Sequence, residues 1–249
     1  MKRISGSALA IVLLAGCGGG GGPSVHPATT YRSNGPGDTW SFSLDFDFGQ
    51  FGKGPGTMVE SLSTDTYNNA PSIKDAKSFR ITLPHQNIAI DEYAELGTDG
   101  SLLAELINGT LLALTSSTFR LPPTIDRSTA ASGTLTFSGG YSITQQYRVV
   151  GAERITVPAG KFDCWVVSEQ AQRSDGSSDN YRFWIAPETG HYVQATDTTD
   201  NGDGTGYTYT MKMTSMQTAS TGSKAATIDR KSHIHVGTPS VEAFRITGD

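Results

Sequence analysis

The stretch TWSFSLDFDF, residues Thr39 to Phe48, decides the fold class. Trp40, Phe42, Leu44, Phe46 and Phe48 alternate with Ser41, Ser43, Asp45 and Asp47. Successive side chains of a strand point to opposite faces, so this period of two predicts a strand with one buried and one wet face. Tyr207, Tyr209, Met211 and Met213 alternate with Thr208, Thr210, Lys212 and Thr214 in the same way.

Between these two, short apolar runs separated by turn residues predict strands at Thr57–Tyr67, Lys77–Leu83, Ile88–Ile90, Gly133–Phe137, Tyr141–Val150, Arg154–Val157, Phe162–Ala171, Asn180–Ala186 and Tyr192–Thr196. Leu102, Leu103, Leu106 and Ile107 suit either a short helix or a strand that turns at Asn108-Gly109. The expectation is an all-β domain over residues 38–218. Its strands form a curved antiparallel sheet, a half-barrel meander with room for at most a short helix.

The chain opens MKRISGSALAIVLLAGC. Lys2 and Arg3 precede an apolar run too short to cross a bilayer as a helix, so residues 1–16 read as a signal peptide. Leu14-Ala15-Gly16-Cys17 looks like a lipobox, which makes Cys17 the expected lipidation site. The five glycines Gly18–Gly22 and the Pro, Ser and Asn residues after them predict a flexible, lipidated linker over 17–37. By resemblance to bacterial lipoproteins, Gly18, where an aspartate would favour the inner membrane, implies the outer membrane, facing the periplasm. Residues 219–249 read as a tail with one weak strand at Val241–Ile246.

The chain has two cysteines. With Cys17 carrying lipid, Cys164 has no disulfide partner, and its place between Phe162 and Val166 on one strand face predicts burial. Without residues 1–16 the formal charge becomes 17 − 24 = −7. An acidic balance argues against nucleic acid and against a polybasic membrane patch.

YRVVGAERITVPAGKFDCWVV, then YRFWIAPETGHYVQA, then DNGDGTGYTYTMKMTS, resemble a pattern in uncharacterised bacterial periplasmic proteins and lipoproteins. The matching residues are Val157, Pro158, Ala159, Gly160, Phe162, Trp184, Ala186, Pro187 and Gly190. The resemblance implies a strongly curved antiparallel sheet, similar to the half-barrel of lipoprotein-carrier proteins, and carries no activity with it. Read physically, Pro158 with Gly160, and Pro187 with Gly190, are structural turns.

No signature of an enzyme is present: no G-x-S-x-G elbow, no S-x-x-K, no phosphate-binding glycine loop and no C-x-x-C. Glu153, Asp163 and Glu188 read as solvated carboxylates. Asp197–Gly204 lacks the spacing of a calcium loop, and His233-Ile-His235 lacks further zinc ligands. No metal and no cofactor is therefore expected. Trp165, Val167 and Trp184 are the candidate ligand-binding residues, lining an apolar groove on the concave side of the sheet. The functional expectation is a membrane-anchored, non-catalytic periplasmic lipoprotein that binds a hydrophobic ligand or a lipidated partner. The alternative is a structural or assembly module that docks other cell-envelope proteins.

Overall fold

A computed structural model describes residues 25–107 and 109–219. The signal peptide, Cys17, the glycine run, the His233-Ile-His235 pair and Val241–Ile246 lie outside the described residues. The described chain is a meander of twelve strands: β1 (Thr39–Asp47), β2 (Lys53–Tyr67), β3 (Ala70–Thr82), β4 (Asn87–Gly97), β5 (Leu102–Ile107), β6 (Thr110–Ser117), β7 (Ala130–Phe137), β8 (Ser142–Val157), β9 (Gly160–Arg173), β10 (Ser178–Ala186), β11 (His191–Asp200) and β12 (Gly206–Gln217).

Every strand pairs antiparallel with its sequence neighbours, and β1 pairs with β12 as well as β2. The curved sheet expected from the sequence thus closes on itself as a barrel, which leaves neither the first nor the last strand as an edge. Residues 102–117 form a hairpin rather than a helix. Three single turns of 3₁₀ helix are the only helical pieces among the described residues. Tyr141–Val150 and Arg154–Val157, read separately from the sequence, belong to the single strand β8. A bulge between Val149 and Gly151 bridges them. The β2–β3 turn uses Asn68 and Asn69, both at positive φ (50° and 63°), as a tight hairpin with the strand twist requires.

The inner face is apolar where the period-two pattern said it would be. Trp40, Phe42, Leu44, Phe46 and Phe48 are at most 4% exposed, and Tyr207, Tyr209, Met211 and Met213 at most 3%. Outward positions on the same strands are Ser, Thr, Asp and Lys, a water-facing wall rather than the apolar band of a lipid-facing barrel. None of the described residues forms a helix long and apolar enough to cross a membrane.

Residues 25–37, which composition placed in the linker, lie against the barrel as a strap. Arg32 N donates to Pro187 O at 2.7 Å and Asn34 Nδ2 to Gly190 O at 2.8 Å. The Arg32 guanidinium holds both oxygens of Asp38 at 3.1 Å, and Asp38 in turn accepts from Gly35 N and Ala219 N. Thr30 pairs with Thr124, and Ile125 N donates to Thr29 O. Glycine and proline content signals turns as readily as slack. Here the polar groups of Arg32, Asn34 and Asp38 decide for turns, because each has a partner on the barrel or in the strap.

Gly190 is where strap and barrel meet. Its φ of 64° is left-handed, and an added Cβ would lie 2.3 Å from Asn34 Oδ1 and 2.6 Å from Arg32 O. Gly204 has a similar φ of 83° with open space around it. Gly204→Ala is therefore expected to cost only the left-handed strain of about 1–2 kcal/mol. Gly190→Ala should cost about 1–3 kcal/mol more through lost strap hydrogen bonds. Urea denaturation of the two variants measures the difference; equal losses would mean the strap does not contribute.

Candidate functional site in the barrel interior

The residues singled out from the sequence do not form one groove. The β9–β10 register pairs Trp165 with Ile185 and Val167 with Phe183, so Trp165 and Val167 face the interior. Trp184 pairs with Val166 and faces outward. The expectation that Trp165, Val167 and Trp184 share a concave face is thereby corrected. Strand parity separates them once the register is known.

Trp165 is 6% exposed and donates its indole N–H to Ala28 O in the strap at 2.9 Å. Trp184 reaches across β9 to Glu153 on β8, its Nε1 2.9 Å from Oε2, with the Arg182 guanidinium 5.2 Å from its ring. That path crosses β9 at Val166 and Cys164, both fully buried. Burial pushes the Cys164 thiol pKa upward, with the nearby carboxylates Glu188, Asp163 and Glu153 adding to it, so it stays a thiol. Asp163 binds Arg154 on the surface, away from the interior.

The Pro158-Ala159 turn between β8 and β9 touches β12: Ala159 N donates to Met213 O at 3.0 Å. Gly160 follows at a φ of 146°. Pro187 and Gly190 bracket the turn that receives the strap.

What sequence reading missed is inside. About eight strands close around a core that side chains can just fill. Twelve enclose more, and here part of that space carries charge. On the β2–β5 side Lys77 is buried with Glu60, Asp75, Glu92 and Glu105 around it. Desolvation alone would lower the Lys77 pKa, but these four carboxylates outweigh it and hold the ammonium charged. Glu60 also accepts from Tyr192 OH at 3.1 Å and meets His191 Nε2 at 2.9 Å, and the His191 ring stacks on Trp40 at 4.6 Å.

On the β8–β12 side Arg173 forms an ion pair with Asp179, both almost fully buried. Gln145 Nε2 donates to Glu169 Oε1 at 3.2 Å. The Thr199 hydroxyl lies 2.9 Å from Asp179 Oδ1 and 2.8 Å from Asp197 Oδ2. One hydroxyl hydrogen cannot serve both oxygens fully, so one carboxyl carries a proton of its own. Asp197 is that one. Burial first, then the charge of Asp179, pushes its pKa up to about 8, against the opposing pull of Thr199 and Arg173. Burial and the charges of Asp179 and Asp197 likewise push Glu169 up to about 8.

The interior therefore holds seven carboxyl groups, four around Lys77 and three beside Arg173. The register sets Tyr181, Asp197 and Tyr209 side by side on adjacent strands, each at most 5% exposed. Tyr181 OH, Asp197 Oδ1 and Tyr209 OH have no hydrogen-bond partner among the described residues. Strand parity was the available signal: Glu169 shares its face with Trp165 and Val167, and Asp197 with Ala195. Among the described residues no group of three or more His, Cys, Asp or Glu could hold a metal ion.

A second concavity lies outside, on β7–β10. Ser132, Gln146, Arg148, Ser168 and Gln170 line about 630 Å³, and a smaller hollow of about 300 Å³ continues it past Gln172 and Asn180. Its polar lining is mainly amide and hydroxyl, with one guanidinium, beside Ala130 and Ala131.

β6 through β12 carry the β8–β12 side of the interior, and a family match covers the same span. Residues 110–221 match DUF3108, described as a protein of unknown function. No curated protein matches the chain. Three solved structures are similar at low identity. A Bacteroides fragilis protein described as exported, with a YmcC-like fold, is 12% identical over 76% of this chain and 99% of its own, with a TM-score of 0.35. A Parabacteroides distasonis protein described as a lipoprotein is 13% identical over 77% and 100%, with a TM-score of 0.38. The hypothetical lipoprotein YmcC of Escherichia coli is 12% identical over 73% and 85%, with a TM-score of 0.35.

Two outcomes follow from this geometry. Asp197 and Glu169 keep protons in the folded chain that the unfolded chain releases above about pH 4. Their stabilisation is complete below about pH 4 and is lost as the pH rises to about 8. The urea midpoint should fall between pH 5 and pH 8, and Glu169→Gln should flatten that fall by about 1.4 kcal/mol per pH unit. An unchanged slope in the variant would contradict the assignment. Separately, native Cys164 should resist a thiol-specific disulfide reagent at pH 8 and react at once in denaturant.

Proposed function

We propose that the chain is a lipid-anchored, non-catalytic binding protein of the bacterial cell envelope, held at the outer membrane and facing the periplasm. Its ligand chamber is the polar half of the barrel interior rather than an apolar groove on the sheet. One observation carries the reading: three adjacent buried polar atoms, on Tyr181, Asp197 and Tyr209, without partners among the described residues. Such groups are uncommon in folded proteins and call for a partner, which a water, an ion or a bound molecule can supply.

The lipid anchor rests on the Leu14-Ala15-Gly16-Cys17 pattern. Seven residues separate Cys17 from Val25, where the described strap begins. The eight Cα-to-Cα steps from Cys17 to Val25, at about 3.5 Å each, span at most about 28 Å. A lipid on Cys17 therefore keeps the strap end of the barrel close to the bilayer. A docking module for envelope proteins is the second reading, favoured by the concave amide-and-hydroxyl face of β7–β10.

Native mass spectrometry of the full-length protein, extracted gently from bacterial membranes, tests both parts at once. Expected are an acyl mass increment on Cys17 and a non-covalent small-molecule mass that disappears in Asp197→Asn. A bound mass that persists in that variant would place the chamber elsewhere. A clean, ligand-free mass would sink the binding reading in favour of the docking module.

A further inference from the structure

We propose that Tyr181, Asp197 and Tyr209 form a binding site for a primary-amine cation. The inference rests on the chamber reading and names its ligand class. The three residues are cross-strand neighbours on β10, β11 and β12, about 4.8 Å from strand to strand, and all face the interior. Each offers a lone pair: Asp197 Oδ1 and the two phenol oxygens, buried and without hydrogen-bond partners among the described residues. Asp197 Oδ2 is engaged with Thr199, so Oδ1 is the oxygen left to receive a donor.

The charge balance selects the sign of the occupant. Glu169, Asp179 and Asp197 stand beside one guanidinium, Arg173, which is paired with Asp179. With Glu169 and Asp197 protonated, Asp179 balances Arg173 and the cluster is close to neutral; an entering ammonium can be matched by release of the Asp197 proton, whereas an anion finds only a guanidinium already paired with Asp179. The number and type of acceptors select the kind of cation. A primary ammonium presents three N–H donors and so matches three acceptors. A quaternary ammonium presents none. A divalent metal would need several carboxylate or imidazole ligands together, and no such group of three exists among the described residues. The aromatic surroundings suit the same ligand: Tyr181 stacks on Phe183 at 5.2 Å and Tyr209 packs 5.1 Å from Phe46. Electron-rich ring faces attract a desolvated cation.

The test uses full-length protein in nanodiscs, with ethylamine and 1,5-diaminopentane as probes and tetramethylammonium at matched ionic strength as control. Intrinsic-fluorescence melts should show saturable stabilisation by the primary amines and none by tetramethylammonium. Calorimetry should show affinity falling at least tenfold in Asp197→Asn. Should that variant fail to fold, the Tyr181→Phe/Tyr209→Phe double variant removes only two oxygens and keeps the packing; it should weaken binding at least threefold. Equal stabilisation by tetramethylammonium, or amine affinity unchanged in the double variant, would overturn the site. So would ordered water at the three oxygens with no amine response. If the amines fail while native mass spectrometry finds another ligand lost in Asp197→Asn, the amine assignment falls and the chamber stands. If neither experiment finds a ligand, both fall.

Discussion

Nine residue pairs, from Thr39–Gln217 to Asp47–Thr208, join the first strand to the last. The ladder closes a meander that would otherwise end in two exposed edges, and it does so across the largest sequence separation in the fold. β1 serves both neighbours because its two backbone edges are free of proline and its alternation is regular. Trp40 and Phe42 face inward while Ser41 and Ser43 face water on both sides of the joint. The strap follows from the same closure. Gly37 N bonds Leu62 O, and Asp38 accepts from Ala219 N just past the end of β12, so the chain enters the barrel at the seam it seals.

A closed wall of twelve strands sets a second condition, because its interior must be filled. Large aromatic residues fill much of it, with Trp40, Phe79, Phe137, Phe183 and Tyr192 fully buried. Charged residues fill part of the rest. Buried charges are costly unless paired or neutralised. The structure uses both routes. Lys77 and Arg173 are surrounded by carboxylates, and Glu169 and Asp197 hold protons. Replacing buried ion pairs by apolar side chains of similar volume is often neutral or stabilising. The acidic, tyrosine-lined side of the barrel is thus an arrangement that stability alone does not require.

Much of the wall was legible residue by residue. The alternations in Thr39–Phe48 and Tyr207–Thr214 identify inward and outward faces without a structure, and the turn residues mark most hairpins. Residues 102–117 were ambiguous because Leu102, Leu103, Leu106 and Ile107 fit either period, and tertiary pairing with β4 and β7 decides for strand. The strap was misread because Gly, Pro and Asn report turns and slack alike. Trp165 and Trp184 were placed together because they are close in sequence across a hairpin, yet a single step of register puts them on opposite sides of the wall.

By itself, then, the sequence determined the strand periodicity, the antiparallel meander and the burial of Cys164, since each depends on local pattern. Only the tertiary structure decided closure, the seating of the strap on the Pro187–Gly190 turn, and the meeting of Glu169, Arg173, Asp179 and Asp197. These come from three strands and gain meaning only through mutual distance. A carboxylate on a strand reads as a solvated residue until closure shows that its side of the strand is buried.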